Sequence, residues 1–258
     1  MKPLPVLAGA LLAPDDLQWS DFVRGTSGLK RLGDASPVPI GAPVPGVDTL
    51  PAGFPHLSAP RPLLLALEVA RRLHLEKGPH YGLVLGLSSL HPEPAYVEHA
   101  LQHLAPERMA DMQAYRGDFA LEYVASALGV AGPRIRLDSA CATGSDALIL
   151  AHQWIEHGWT EDVLVVAAAS MLNPIGLALF RNLRTLTEED DLEASRPFDR
   201  RRRGFVMGEG AAALWLSGRR PDEPIGYVCS YGQSMNAFKM TDMPTDLTAM
   251  EQACRQAL

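Results

Sequence analysis

Hydrophobic positions along this chain recur with two different periods, and the two meet most sharply at Cys141. Ile135 and Leu137, with the small residues around them, predict a short buried strand. Ala147, Leu148, Leu150, Ala151, Trp154 and Ile155 recur at helical spacing. Elsewhere Val6 to Leu12 predicts a first core strand, and Tyr81 to Leu87 and Asp162 to Ala169 are apolar without alternation, as suits central strands covered on both faces. Ala211 to Leu216 and Gly226 to Tyr231 predict two further strands. Helices are expected over Asp16 to Val23, Leu63 to Leu75, the polar stretch His91 to Met112, Phe119 to Leu128, Pro174 to Leu186 and Thr248 to Leu258. Strands alternating with helices in this way predict an α/β layered fold, a mostly parallel central sheet flanked by helices, as one domain over residues 1–258. Residues 24–62 interrupt the pattern: eight of the 21 prolines lie between Pro37 and Pro62. Proline lacks the amide donor and fixes φ, so this stretch is expected as a wrap or a loop within the domain.

Composition narrows the function. At 258 residues and 47% hydrophobic content the chain can bury one sizeable core, and a net charge of −7 argues against a nucleic-acid partner. No apolar run approaches the roughly 18 residues needed to span a bilayer. Val6 to Leu12, preceded by Pro3 and Pro5 and followed by Asp15 and Asp16, reads as a strand and not as a signal peptide. A soluble, cytoplasmic protein is expected. Cys141, Cys229 and Cys254 are scattered and odd in number, which suits reduced thiols better than a disulfide frame or a zinc site. His99 and His103 are four apart, but without the glutamate of H-E-x-x-H or a third ligand they read as a solvated face, and no metal is expected. Gly208 to Ala213 formally fits G-x-G-x-x-A, yet it does not open a helix after a first strand, so a dinucleotide site is discounted.

Cys141 carries the candidate chemistry. A strand that turns into a helix at a cysteine flanked by Ala140, Ala142 and Gly144 leaves the sulfur uncovered at the helix N-terminus. Free N–H groups and the positive dipole end favour the anionic sulfur there and can hold a developing oxyanion. The residues alone leave a second reading open, a buried structural thiol, since free cysteines are often core residues.

Two longer motifs bear on that choice. D-S-A-C-A-T-G-S-D-A-L at 138–148 and A-S-R-P-F-D-R-R-R-R-G-F-V-M-G-E-G-A-A-A-L at 194–214 resemble the β-ketoacyl synthases, carrier-protein-dependent condensing enzymes of the thiolase-like superfamily. Residues 226–244 resemble the family stretch that follows. The resemblance implies a thiolase-like half: members are built of two similar α/β halves, and the second half supplies two histidines, a lysine and a Gly-Phe-Gly loop, whose motifs do not occur in this sequence. His152 and His157 lie on the helix after Cys141, directed along it and not across the sulfur.

By resemblance, Cys141 is the acyl-accepting nucleophile, Phe180 lines the acyl pocket and Arg184 meets an acyl carrier protein. Arg201 and Arg202, within the run Arg200 to Arg203, could attract the phosphopantetheine phosphate or the acidic carrier; Arg203 stands where many members have aspartate. The strand ending at Ala169 and Ser170 lacks the family's terminal acid. The expected partners are an acyl carrier protein, whose phosphopantetheine arm brings the substrate with no resident cofactor, and a full-length ketosynthase or second-half subunit in a heterodimer, or a second copy in a homodimer. Three activities stay open: an acyl-accepting subunit working with a ketosynthase, a non-catalytic companion of the chain-length-factor type, and a stand-alone thiol acyltransferase or thioester hydrolase. An α/β-hydrolase elbow is disfavoured, because Ser139 and Thr143 stand where that turn has glycine. The sequence is also consistent with a piece of a longer protein.

Overall fold

The computed structural model describes residues 2–18, 20, 21, 24, 26–34, 36–55, 59–73, 80–88, 112–219, 223–239 and 244–258. Its centre is a six-stranded sheet. In chain order the strands are β1 (Leu4–Leu12), β4 (Gly82–Ser88), β5 (Arg134–Leu137), β6 (Asp162–Ser170), β7 (Glu209–Ser217) and β8 (Gly226–Val228); the two-residue strands β2 (Lys30–Arg31) and β3 (Ile40–Gly41) form a separate ladder. The main sheet runs β5-β4-β6-β7-β1-β8. Strand β4 is parallel to β5 and β6, β7 is antiparallel to β6 and β1, and β8 is antiparallel to β1. Four strands therefore share one direction.

Helices α1 (Arg61–Arg72) and α2 (Gly117–Leu128) cover one face, and α3 (Thr143–Glu156) covers part of the other. The α1 face holds the larger core: Leu63, Leu67 and Ala70 of α1 pack on Leu83, Leu85, Leu164 and Val166. Each fully buried leucine contributes about 1.5–3 kcal/mol. Helix α1 is continuous because its apolar residues recur every three to four positions, and Arg71 and Arg72 in its last turn complement the helix dipole. Helix α2 ends at Gly129, which takes φ 68° and lets Val130 N–H reach the carbonyl of Ala125. On the opposite face Ala147, Ala151 and Trp154 of α3 meet Val84, Val163 and Val165. Helix α4 (Pro174–Asn182), capped by Asn173 Oδ1 accepting from Gly176 N–H at 2.8 Å, and helix α5 (Thr248–Ala257) complete the elements.

Within the stretch 24–62, Ala42 and Val44 are tied to the head of β7. Ala42 N–H donates to Met207, Glu209 N–H donates to Ala42, and Val44 N–H donates to Glu209 Oε1.

Two strands differ from the sequence reading. Strand β5 is not buried: among the described residues it is the sheet edge, pairing only with β4, and Ile135 is 38% exposed. Strand β8 stops at Val228, opposite Leu4, and the residue next to Leu4 is Pro3, which has no amide donor to carry the ladder further. The helix expected over Asp16 to Val23 falls partly outside the described residues; a 3-10 turn over Pro14–Asp16 opens it. The expected helix from His91, with His99 and His103, lies outside them up to residue 111.

Candidate active site

Cys141 sits in a single 3-10 turn, Ala140–Ala142, between β5 and α3, two residues before the helix begins. Its side chain is exposed, so the buried-thiol reading does not hold. Ala140 has φ 53°, a left-handed conformation that costs an alanine roughly 1–2 kcal/mol. Side chains hold the turn in place. Asp138 Oδ1 accepts from Ala140 N–H at 3.2 Å, and Asp138 Oδ2 accepts from Arg136 Nη2 at 3.2 Å. The buried Thr143 hydroxyl accepts from Ser139 N–H at 2.9 Å and donates to the Ala140 carbonyl at 2.7 Å. Asp146 in the first turn of α3 suits the helix dipole and accepts from Gln233 Nε2 at 2.7 Å, tying the segment after β8 to this helix.

The cysteine opens onto a cavity of about 1020 Å³. Its floor is made of small residues at the ends of the central strands: Gly86, Ala167, Ala169, Gly210 and Ala212. Small side chains there leave space where Val163 and Val165, earlier in β6, fill it against α3. Leu11, Met171 and Phe180 supply apolar walls, and Arg136 and Asp138 the polar rim. Phe180, on α4, also meets Phe205 edge-on, with ring centroids 5.8 Å apart. Cys141 and Phe180 thus share one space.

The arginines divide between two other clefts. Arg184, at φ 55° just after α4, lines a cleft of about 590 Å³ with Arg181, Arg203, Glu188 and Glu189. Arg202 lines another, of about 730 Å³, with Arg196, Arg200 and Phe205. Arg201 is held by Asp199, whose carboxylate takes the guanidinium at 3.1 Å and the Arg201 N–H at 2.7 Å. These hydrogen bonds bring Asp199 down to about 2. Arg184 and Arg203 carry no ion pair among the described residues.

Sequence reasoning missed a buried charge cluster beside the cavity. Glu209, at the head of β7, accepts from Arg61 Nε at 3.0 Å, Arg61 Nη2 at 2.6 Å, Ser170 Oγ at 2.7 Å and Val44 N–H at 2.8 Å. Burial works against the Arg61 charge, but the hydrogen bonds and charges of Glu209 and Asp48 outweigh it and raise its pKa. Ser170, where the resembled family has an acid, therefore faces an acid supplied by the neighbouring strand. An acidic residue opening an otherwise apolar strand was the available signal, since a buried carboxylate requires partners.

Comparison with known proteins identifies the relationship. The profile of the β-ketoacyl synthase N-terminal domain matches residues 66–220, more than half of the chain. The chain belongs to the β-ketoacyl synthase family. It is 33% identical over 134 residues to an oxytetracycline polyketide putative β-ketoacyl synthase 1 from Streptomyces rimosus, a match covering 49% of this chain and 32% of that protein. A putative polyketide β-ketoacyl synthase 1 from Streptomyces cyaneus is 37% identical over 145 residues, 52% of this chain and 34% of the relative. The match thus spans about a third of these relatives' length. In fold, a β-ketoacyl synthase from Burkholderia phymatum aligns with a TM-score of 0.79 at 22% identity, over 100% of this chain and 71% of its own. A type II polyketide ketosynthase solved with its acyl-carrier protein aligns with a TM-score of 0.77 at 23% identity, over 99% and 70%. Among the described residues, no helix is long and apolar enough to cross a membrane.

Proposed function

We propose that this chain is a β-ketoacyl synthase-like subunit of fatty-acid or polyketide assembly, of which the aryl-polyene type is one form, and that it takes an acyl group onto Cys141 as a thioester. The observation that carries this reading is the exposed Cys141 on its strained turn, opening with Phe180 onto one largely apolar cavity. The donor is an acyl carrier protein, in keeping with the solved relative that holds one. The Cys141 sulfur attacks the thioester carbonyl of the phosphopantetheine arm. The tetrahedral oxyanion is held by N–H groups at the head of α3, and its collapse breaks the old carbon–sulfur bond. The departing pantetheine sulfur takes up the proton that Cys141 gave, so the exchange is neutral overall. Condensation with a malonyl unit would require histidines to hold its carboxylate and enolate charge, and a ketosynthase partner supplies these in the proposed assembly.

Intact-mass analysis after incubation with acylated carrier protein or acyl-CoA tests the reading. One acyl increment is expected on the wild-type chain and none on Cys141→Ala. An unmodified wild-type chain, or an increment that survives in the variant through Cys229 or Cys254, would refute it. Release of free acid without a second protein would instead select the stand-alone hydrolase.

A further inference from the structure

Thr143 is almost wholly buried, yet its hydroxyl is spent entirely on the turn that carries Cys141. It donates to the Ala140 carbonyl, to which the Thr143 backbone N–H also donates, and that carbonyl belongs to the same planar peptide as the Cys141 N–H. In a trans peptide the two groups point in opposite directions. Fixing the carbonyl toward Thr143 therefore fixes the Cys141 N–H away from it. Ala140 takes its left-handed φ of 53° only under such constraint, because its methyl group disfavours that region. Relaxation of Ala140 away from this conformation would reset the dihedrals on either side of the residue and release the direction of the N–H.

A second observation places the threonine against the sheet. Its methyl group lies against β4, where a Cβ added at Gly86 would come within 2.8 Å of Thr143 Cγ2. The side chain thus lies between β4 and the turn, with its hydroxyl on the turn.

We infer that Thr143 is a positioning residue whose hydroxyl presets the Cys141 backbone N–H as an oxyanion donor. This rests on the thioester chemistry proposed above, since only a carbonyl substrate develops an oxyanion. An alkylating reagent such as iodoacetamide reacts with the same sulfur by displacement and forms none. The hydroxyl should therefore matter for acylation and far less for alkylation.

The test compares Thr143→Val, which keeps the shape and removes the hydroxyl, with Thr143→Ser, which keeps the hydroxyl, and with Thr143→Val combined with Ala140→Gly, which frees the strained position. Single-turnover acylation of Cys141 by an acyl thioester and its alkylation by iodoacetamide are followed by peptide mass spectrometry, with the exposed Cys229 and Cys254 as internal references. Thr143→Val is expected to slow acylation at least about tenfold, short of the roughly 10²–10³-fold cost of losing an oxyanion donor outright, and alkylation only slightly. Thr143→Ser should restore acylation, and Ala140→Gly should restore part of it. Equal losses in both reactions, or a serine variant no better than valine, would overturn the inference in favour of a packing role. If the wild-type chain accepts no acyl group, the thioester reading falls, and the crystal structure of Thr143→Val decides the positioning role alone. A Cys141 N–H turned from its wild-type direction upholds the role; an unchanged turn removes it.

Discussion

Arg201 and Arg203 are two residues apart in one run of four arginines, yet only one has its charge already engaged. Asp199 is held down to about 2 by hydrogen bonds from the Arg201 side chain first and then from its backbone N–H. A carboxylate with a depressed pKa stabilises its loop where the unfolded group would also be ionised, above the ordinary range near 4, and that contribution is lost as pH falls from there through about 2. Carbon-13 titration of the Asp199 carboxyl should therefore find a midpoint near 2 and a return toward the ordinary range in Arg201→Ala. A midpoint in the ordinary range with Arg201 present would mean that this contact does not form in solution. Residue identity alone could not separate these arginines. Of the two expected to meet the carrier, Arg201 bonds to Asp199 side chain to side chain, while Arg202 donates to the Asp199 carbonyl and lines the 730 Å³ cleft.

Between elements, the contact that matters most for the site is β4 against the head of α3. Gly86 lets Thr143 approach, whereas Leu85, its neighbour in the strand, points to the opposite face and is fully buried in the α1 core. The two positions should separate stability from chemistry. Leu85→Ala should cost about 2–5 kcal/mol in denaturant unfolding and leave Cys141 acylation unchanged in the folded protein. Gly86→Ala should slow acylation in the folded protein, because its methyl would displace Thr143; equal acylation rates in the two variants would refute this division. Strands β4 and β6 and helices α1 and α3 were legible because burial on both faces, or along one helical stripe, leaves an apolar record in the sequence. Strand β5 was misread as buried, since an edge strand of four residues carries too few positions to show its exposed side. That Cys141 and Phe180 would face one cavity, as distinct from what they do there, was legible through family resemblance. The Thr143 hydroxyl and the Glu209 cluster depend on contacts across long stretches of chain or on a backbone angle, neither of which leaves a periodic trace.

Across the whole molecule, charge and apolar surface are unevenly spread. Helix α3 covers only part of its face of the sheet, leaving Leu11 and Ile225 exposed, and Phe198 is 99% exposed. Such surface suits the partner subunit proposed above. The net charge of −7 would repel the proposed acidic carrier protein at long range, so its docking would draw on local cations without an ion pair among the described residues. Arg184 and Arg203 fit that requirement: both line the 590 Å³ cleft beside α4, the helix that also brings Phe180 to the cysteine cavity. In the proposed assembly a carrier bound there would sit beside α4, the helix that also lines the cysteine cavity. Replacing both by alanine should weaken carrier binding at low salt by about tenfold, with Arg201→Ala, whose charge Asp199 already engages, having a smaller effect. The difference should shrink as salt screens the attraction, over a Debye length that falls from about 10 Å at 0.1 M to about 3 Å at 1 M. Binding isotherms across that salt range decide the matter: equal affinity of the double variant and the wild-type chain at low salt would place carrier docking elsewhere on the surface.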